Sequence, residues 1–358
     1  MKKLFIIAAA ACVTLASCVK SEAGPGIEQG DLITFSSPVV GVPTKATEYA
    51  QGLYDKGASF DVYAWYSALQ EFPGVASSTL YIDEVPCIYH DVNSGSEEIE
   101  VDVDYFAPAN DYYWPKTGYL SFFAISPASV ESAITEGKVT LTYTANTNPA
   151  NQVDLLYSDW ATGKNSSTGA VGGYAGVDIS FNHALSVVKF AFKGISAEVA
   201  SNIQITDVVL TKVNSVATLT CDYASGTPTA TWSGHGTLAD YTLLIPTEYV
   251  LTENPTTIGT EINNEILIPQ TIANDVKVVI SYNIKSPASP VGNPVWIPQD
   301  PISLQLNTAK IGTSSVDEWE MSTKYNYTIV FDLEKVYFAP VVKDFLESND
   351  VDDINQTL

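Results

Sequence analysis

The sequence contains no arginine. All 17 of its basic residues are lysine, which excludes any recognition site built on the planar guanidinium fork. Histidine is almost as scarce. His90, His183 and His235 are the only three, and they lie too far apart to form a zinc-ligand pattern. The four cysteines include no Cys-x-x-Cys, so neither a structural zinc nor a dithiol redox motif is supported. No G-x-S-x-G, H-E-x-x-H or phosphate-cradling glycine loop occurs, and nothing else points to nucleophilic or metal-assisted hydrolysis. Positive charge is also short: 17 lysines stand against 41 acidic residues, a net charge of −24. Such a surface repels phosphate backbones and anionic lipid headgroups, which argues against nucleic acid as a partner.

What is present begins at the N-terminus. Lys2 and Lys3 precede an apolar run from Leu4 to Leu15, and the small residues Ala16 and Ser17 lead into Cys18. This is the layout of a secretory signal, and the run falls short of the roughly 20 apolar residues that span a bilayer. "LASC" (15–18) is similar to the lipobox of bacterial lipoproteins, which implies cleavage before Cys18 and a lipid on its thiol. The alternative is an ordinary signal cut nearby, with Cys18 incidental. On either reading residues 1–17 leave the fold and the protein is exported. Without Lys2 and Lys3 the charge becomes 15 − 41 = −26. Cys12 departs with the signal. Cys87 and Cys221 remain, either as a disulfide, which export permits, or as two buried thiols.

The remaining chain reads as strands. "FDVYAWY" (60–66), "YLSFFAIS" (119–126), "VTLTYT" (139–144), "LSVVKFAFKG" (185–194), "IQITDVVLTK" (203–212), "YTLLIP" (241–246), "VKVVISYNI" (276–284) and "YNYTIVFDL" (325–333) are rich in β-branched and aromatic residues. Most alternate with a period of two, and turn-forming clusters separate them. Helical signal is sparse, and one stretch, "SVESAITE" (129–136), could make two turns and little more. The class is all-β, with about 340 mature residues arranged as two β-sandwiches in tandem. The glycine-rich "ATGKNSSTGAVGGYAG" (161–176) is the expected division, giving sandwiches over 46–175 and 176–345. The five-proline stretch 287–301 is expected to be a surface loop, and the acidic tail 346–358 has little to bury.

Three features could carry chemistry, and each has a plainer reading. Glu98, Glu100, Asp102 and Asp104 share one face of a strand, as a calcium site would require. Their spacing suits a single ion poorly, so a solvated face that discourages edge pairing is preferred. His183 and His235 read as turn residues with structural roles. Tyr112, Tyr113, Trp114, Tyr119, Phe122 and Phe123 could stack on sugar rings, but their place within strands favours core filling. No cofactor and no metal is expected.

Three segments in order resemble the fimbrillin family, the type V pilins of Bacteroides-type bacteria: "YYWPKTGYLSFFAISP" (112–127), "VDISFNHALSVVKFAFKG" (177–194) and "WEMSTKYNYTIVFDLEKVYFAPVVKDF" (319–345). Phe345 stands where the family usually has Trp. The resemblance implies two transthyretin-like β-sandwich domains in a lipoprotein carried to the outer-membrane surface. It implies a structural subunit or accessory adhesin of a fimbria, with other subunits, the outer membrane and a surface receptor as partners. In the family a trypsin-like protease removes an N-terminal segment with the first strand, and the vacated groove takes a strand from a neighbour. Mapped onto this sequence, the removed piece is 18–45, with its strand at 31–40. Cleavage falls after Lys45, where the family has Arg. The donor strand draws on Val336, Phe338, Val341, Val342 and Phe345. A member left uncut would stay anchored as a cap or adhesin. A surface glycan-binding lipoprotein is the second reading, and an enzyme the third.

Overall fold

The computed structural model describes residues 29–41, 52–91, 104–167, 176–224, 226–243, 245–246, 249–257, 265–311, 314–332 and 336–344. Among them the only α-helix is the single turn Ala197–Ala200. Apart from 3-10 turns at Val75–Ser77, Pro149–Asn151 and Leu306–Thr308, the other regular elements described are strands, as the β-branched and aromatic runs require.

The largest sheet has ten strands. Phe60–Ser67 and Tyr119–Ser126 lie at its centre, flanked by Thr79–His90 and Tyr105–Pro108 on one side and by Leu156–Ser158 and Ser180–His183 on the other. Alternation fails in the two central strands because both of their faces are covered. Val62, Ala64, Leu120, Phe122 and Ala124 point into one buried cluster with Phe35, Phe60, Phe106 and Phe181. Their neighbours Tyr63, Trp65, Phe123 and Ile125 point the opposite way into a second, larger cluster.

That larger cluster is shared with two further sheets. Ile203–Ala224, a 22-residue strand, is the spine of an eight-stranded sheet. Its first half pairs with Lys277–Lys285 and its second half with Lys138–Thr144. A five-stranded sheet carries Ser186–Gly194, Thr323–Phe331 and Val336–Asp344 in that order. An aromatic junction joins the largest sheet to the spine. Trp160 lies 4.6 Å from Phe123, 5.2 Å from Trp65 and 5.5 Å from Tyr223, centroid to centroid.

The chain on either side of residue 175 shares sheets. Val139 pairs with Cys221, and Leu156 pairs with His183. Residues 168–175 lie outside the described residues. The helix expected over 129–136 is absent. Ala133–Thr135 is instead a strand paired with Lys138–Thr140, turned by Glu136 (φ 51°) and Gly137 (φ 73°). Two successive left-handed residues make a tight two-residue hairpin turn in which Gly137 takes its conformation without steric cost, and the strand pairing overrides a weak helical pattern. Of the proline-rich stretch, Trp296–Pro298 forms a short strand at the sheet margin, and Val291 is fully exposed. Cys87 and Cys221 are both free and buried, one in each cluster, so of the two readings they are thiols.

One buried carboxylate spans two regions. Glu265 is 0% exposed, and its Oε2 accepts a hydrogen bond from Gln152 Nε2 at 2.9 Å. The same Gln152 accepts from the Ile266 backbone N–H at 2.7 Å, while Glu265 Oε1 has no hydrogen-bond partner among the described residues. Burial pushes the Glu265 carboxyl up to about 7, partly offset by the Gln152 hydrogen bond. The folded state therefore binds this proton more tightly than the unfolded chain, so its stability falls as pH rises through the interval up to about 7. Glu265→Gln should remove about 3 kcal/mol of stability difference between pH 4.5 and pH 8, measured as the change in urea-unfolding free energy relative to the parent. An unchanged pH profile would show that Glu265 does not titrate in this range.

Candidate assembly site

The first described residues form a plug. Gln29–Leu32 pairs with Tyr113–Pro115. Phe35 and Ser36 then pair antiparallel with Phe106 and Tyr105 at one end of the large sheet. Three residues later Val39 and Val40 run parallel to Ser180 and Phe181 at the other end, and Gly52–Leu53 covers their far side. One segment thus satisfies two sheet edges and closes the sheet around its aromatic interior.

The crossing happens at Ser37-Pro38. Proline has no backbone N–H to leave unpaired, and its carbonyl accepts from Tyr54 N–H at 3.0 Å. Further bonds hold the plug on both margins. Ile33 N–H donates to Tyr112 O (2.8 Å), Ser36 N–H to Val177 O (3.0 Å) and Gly41 N–H to Phe181 O (2.7 Å), while Val177 N–H donates to Thr34 O (2.8 Å). Ser36 Oγ adds a bond to Asp178 Oδ1 at 2.8 Å.

Side chains fix the register. Ile33 and Phe35 are 2% and 0% exposed. The Phe35 ring meets Phe60 and Phe122 edge-on, at 5.9 Å and 5.5 Å between centroids, the arrangement aromatic quadrupoles prefer. Gly176 makes room for this approach. It has φ +75°, and a Cβ there would stand 2.6 Å from Phe35 N and from Thr34 C and O.

The other half of the candidate site is the last described strand, Val336–Asp344. It pairs with Thr323–Phe331 in unbroken antiparallel register, Phe331↔Val336 to Thr323↔Asp344. It is the outermost strand of its sheet. Pro340, opposite Tyr327, sits where a missing N–H is tolerated. Val336, Phe338, Val341 and Val342 all lie on this strand. Phe345 lies outside the described residues, as do Cys18 and Lys45. Lys45 falls in the stretch between Gly41 and Gly52.

Other residues singled out from sequence have structural partners. His183 Nδ1 is bonded to Asp154 Oδ2, and His235 Nε2 lies 2.7 Å from Pro269 O. Of the acidic row only Asp104 is described. It accepts from Lys56 Nζ at 2.6 Å and from the Tyr89 hydroxyl. Glu98, Glu100 and Asp102 lie outside the described residues. Among the described residues no group of three or more His, Cys, Asp or Glu side chains converges as a metal site. Trp114, Phe122 and Phe123 are core residues, Tyr112, Tyr113 and Tyr119 half-buried. Sequence reasoning missed the plug's partners at Val177, Ile179 and Phe181, because a parallel pairing across about 140 residues leaves no local pattern.

These features define a multi-sheet all-β protein whose largest sheet is completed by its own N-terminal segment. The family model described as fimbrillin-like matches residues 44–344, and the chain belongs to that family. The match begins just past the plug. Solved structures agree on the fold. A fimbrial protein from Bacteroides vulgatus is similar with TM-score 0.59 and 15% identity, over 87% of this chain and 99% of that one. A candidate cell adhesion protein from Bacteroides uniformis gives 0.52 and 15%, over 88% and 98%. Another from Bacteroides ovatus gives 0.51 and 14%, over 90% and 100%. No curated protein matches the chain.

Deleting the Phe35 ring should cost about 3–5 kcal/mol, the range for emptying a close-packed aromatic site. Chemical denaturation of Phe35→Ala checks this. Thr34→Ala, one residue away on the half-exposed side, should cost less than about 1 kcal/mol. Gly176→Ala should resemble Phe35→Ala, because its new methyl group collides with the plug backbone.

Proposed function

We propose that the protein is a structural subunit or accessory adhesin of a cell-surface fimbria. It is exported as a lipoprotein through Cys18 and assembled by strand exchange once residues 18–45 are removed after Lys45. The observation that carries this reading is the plug. A short segment at the N-terminal margin fills a complete strand position in a closed sheet, and the candidate cleavage residue follows four positions after its last described residue, Gly41.

The physical logic is competition for one groove. While the chain is intact the plug is held at an effective concentration of about millimolar or higher, and an incoming strand rarely displaces it. Cutting after Lys45 turns the plug into a separate short peptide, which can dissociate and dilute away. What remains exposes the unpaired carbonyls of Tyr112, Val177, Ile179 and Phe181 beside a pocket lined by Phe60, Phe106, Phe122 and Phe181. Buried main-chain groups without partners are costly, so an added strand gains both hydrogen bonds and apolar burial. The edge strand bearing Val336, Phe338, Val341 and Val342, with Phe345 beyond it, is the donor in this reading. Its partners are other fimbrial subunits, with the outer membrane held through the lipid and a receptor on a host or bacterial surface. The reading calls for no cofactor and no catalytic centre. A glycan-binding role gains no support, because most of the aromatic rings among the described residues are buried.

Limited digestion with a lysine-specific protease should give a new N-terminus at Ala46, followed by a ladder that resists sodium dodecyl sulfate. Lys45→Ala should prevent both, and mass spectrometry of the surface protein should find Ala46 rather than acylated Cys18 at the N-terminus. A verified cut at Lys45 that leaves only monomer would overturn the assembly step.

A further inference from the structure

The eight-stranded sheet has one long open edge. Thr227–Thr242 pairs only with the spine Ile203–Ala224, and no described strand lies against its far side. Ala133–Thr135 and Trp296–Pro298, at the two ends of the same sheet, are three residues each, and such short strands make poor templates. The second half of Thr227–Thr242 is blunted. Its register breaks opposite Val216–Thr218 and again opposite Leu210–Val213, Gly234 and Thr237 turn left-handed (φ 64° and 53°), and Asp240 adds a charge. The first half, Thr227–Ser233, is unbroken and uncharged. Its free backbone groups follow from the turn. Ala224 pairs with Thr227 across a two-residue hairpin that includes Gly226 (φ 81°). Such a turn closes on a hydrogen-bonded pair, and bonded pairs then alternate. Thr227, Thr229, Thr231 and Ser233 thus bond the spine. The N–H groups of Ala230 and Trp232, and the carbonyls of Pro228, Ala230 and Trp232, point to the open edge. Pro228 fits this alternation, having no N–H to leave unpaired.

We infer that this edge pairs with the same edge of a second copy of the chain, antiparallel about a two-fold axis at Ala230. Residues 226–234 read Gly-Thr-Pro-Thr-Ala-Thr-Trp-Ser-Gly, nearly a palindrome of residue types. Turned on itself, the window sets Thr229 opposite Thr231, Thr227 opposite Ser233, Pro228 opposite Trp232 and glycine opposite glycine. Thr227, Thr229, Thr231 and Ser233 are all exposed, and hydroxyl pairs of this kind stabilise neighbouring strands. On the opposite face Trp232 is half-buried, its indole N–H donating to Ala184 O at 2.8 Å. The ring is thus a fixed surface for Pro228 of the second copy. Four main-chain bonds form, two between the Ala230 residues and one from each Trp232 N–H to the opposite Pro228 carbonyl. Charge selects the place. Residues 226–239 carry no acidic residue and no lysine, in a chain that holds 41 acidic residues against 17 lysines. In the adjacent strand Asp222, opposite Thr229, is paired with Lys138 at 3.3 Å. Two strongly acidic copies meet here without like charges in contact. Both ends of the window are open: a Cβ on Gly226 would meet nothing within 4 Å, and one on Gly234 only Thr218 Oγ1 at 3.9 Å. Pairing joins two eight-stranded sheets into one. It uses neither the plug nor the last strand, so it joins copies sideways and does not depend on strand exchange.

The test uses the intact chain, uncut at Lys45 and so still holding its plug. Sedimentation equilibrium should show a reversible dimer, and amide exchange at Ala230 and Trp232 should slow as concentration rises. Ala230→Pro removes two of the four edge bonds while sparing the hairpin ladder, and should weaken the dimer at least about tenfold. Thr229→Glu with Thr231→Glu sets like charges opposite each other twice and should also weaken it about tenfold. Thr229→Lys with Thr231→Glu sets unlike charges opposite each other twice and should restore association to within about threefold of the parent. Thermal unfolding of each variant checks that the monomer still folds. A parent that stays monomeric up to about 1 mM would overturn the pairing, and so would a dimer of unchanged affinity in all three variants. A dimer that the Lys–Glu combination fails to restore would overturn the register. Because the plug stays in place throughout, failure here leaves the strand-exchange reading untouched.

Discussion

A sheet with two free margins must hide both or leave them open to pairing. Here a segment of 13 described residues answers for both at once. It bonds to Tyr105–Pro108 on one side and to Val177–Phe181 on the other, and it lowers Phe35 into the interior between them. The rest of the large sheet depends on that closure. Phe60, Phe106, Phe122 and Phe181 form a dry core only because Phe35 and Ile33 complete its wall. Remove the segment, and an aromatic interior and two unpaired ladders meet water together. In the proposed strand exchange, the same residues that stabilise the intact chain would form the groove that cleavage opens.

The second constraint is the way the sheets are joined. The central strands bury both faces, and the Trp160 cluster packs the outer face of the large sheet against the far end of the long strand Ile203–Ala224. Neighbouring sheets cannot slide without opening a stack of four large rings. The groove wall around the plug is thus backed by a frame of packed rings.

Much of this was legible in the sequence, for reasons that particular residues show. Strands such as 60–66, 185–194 and 276–284 were readable because β-branched and aromatic residues dominate them and turn residues bound them. "YLSFFAIS" was readable as a strand from its aromatic and aliphatic content, while the burial of both its faces came only with the structure. What could not be read depended on partners far away in sequence. The hairpin at Glu136-Gly137 outweighed the helical look of 129–136. Leu156 and Val139 took partners beyond residue 175. The first strand, expected as one piece over 31–40, is three short pieces, because it changes margins at Pro38. Nothing near Gly176 announces that its missing Cβ is needed by Phe35 and Thr34, some 140 residues earlier. Of the candidate assembly residues, the C-terminal strand was named only through the family resemblance, and the groove that receives the plug was not named at all.

The strand Ile203–Ala224 has a contour of about 70 Å at roughly 3.3 Å per residue. It runs from the sheet beside the C-terminal units to the layer that backs the plug-bearing sheet. Pulled from its ends, such a strand loads its hydrogen bonds in shear, many at a time, instead of peeling them one by one. Force applied along this strand is therefore shared between its ladders to Lys277–Lys285 and to Lys138–Thr144.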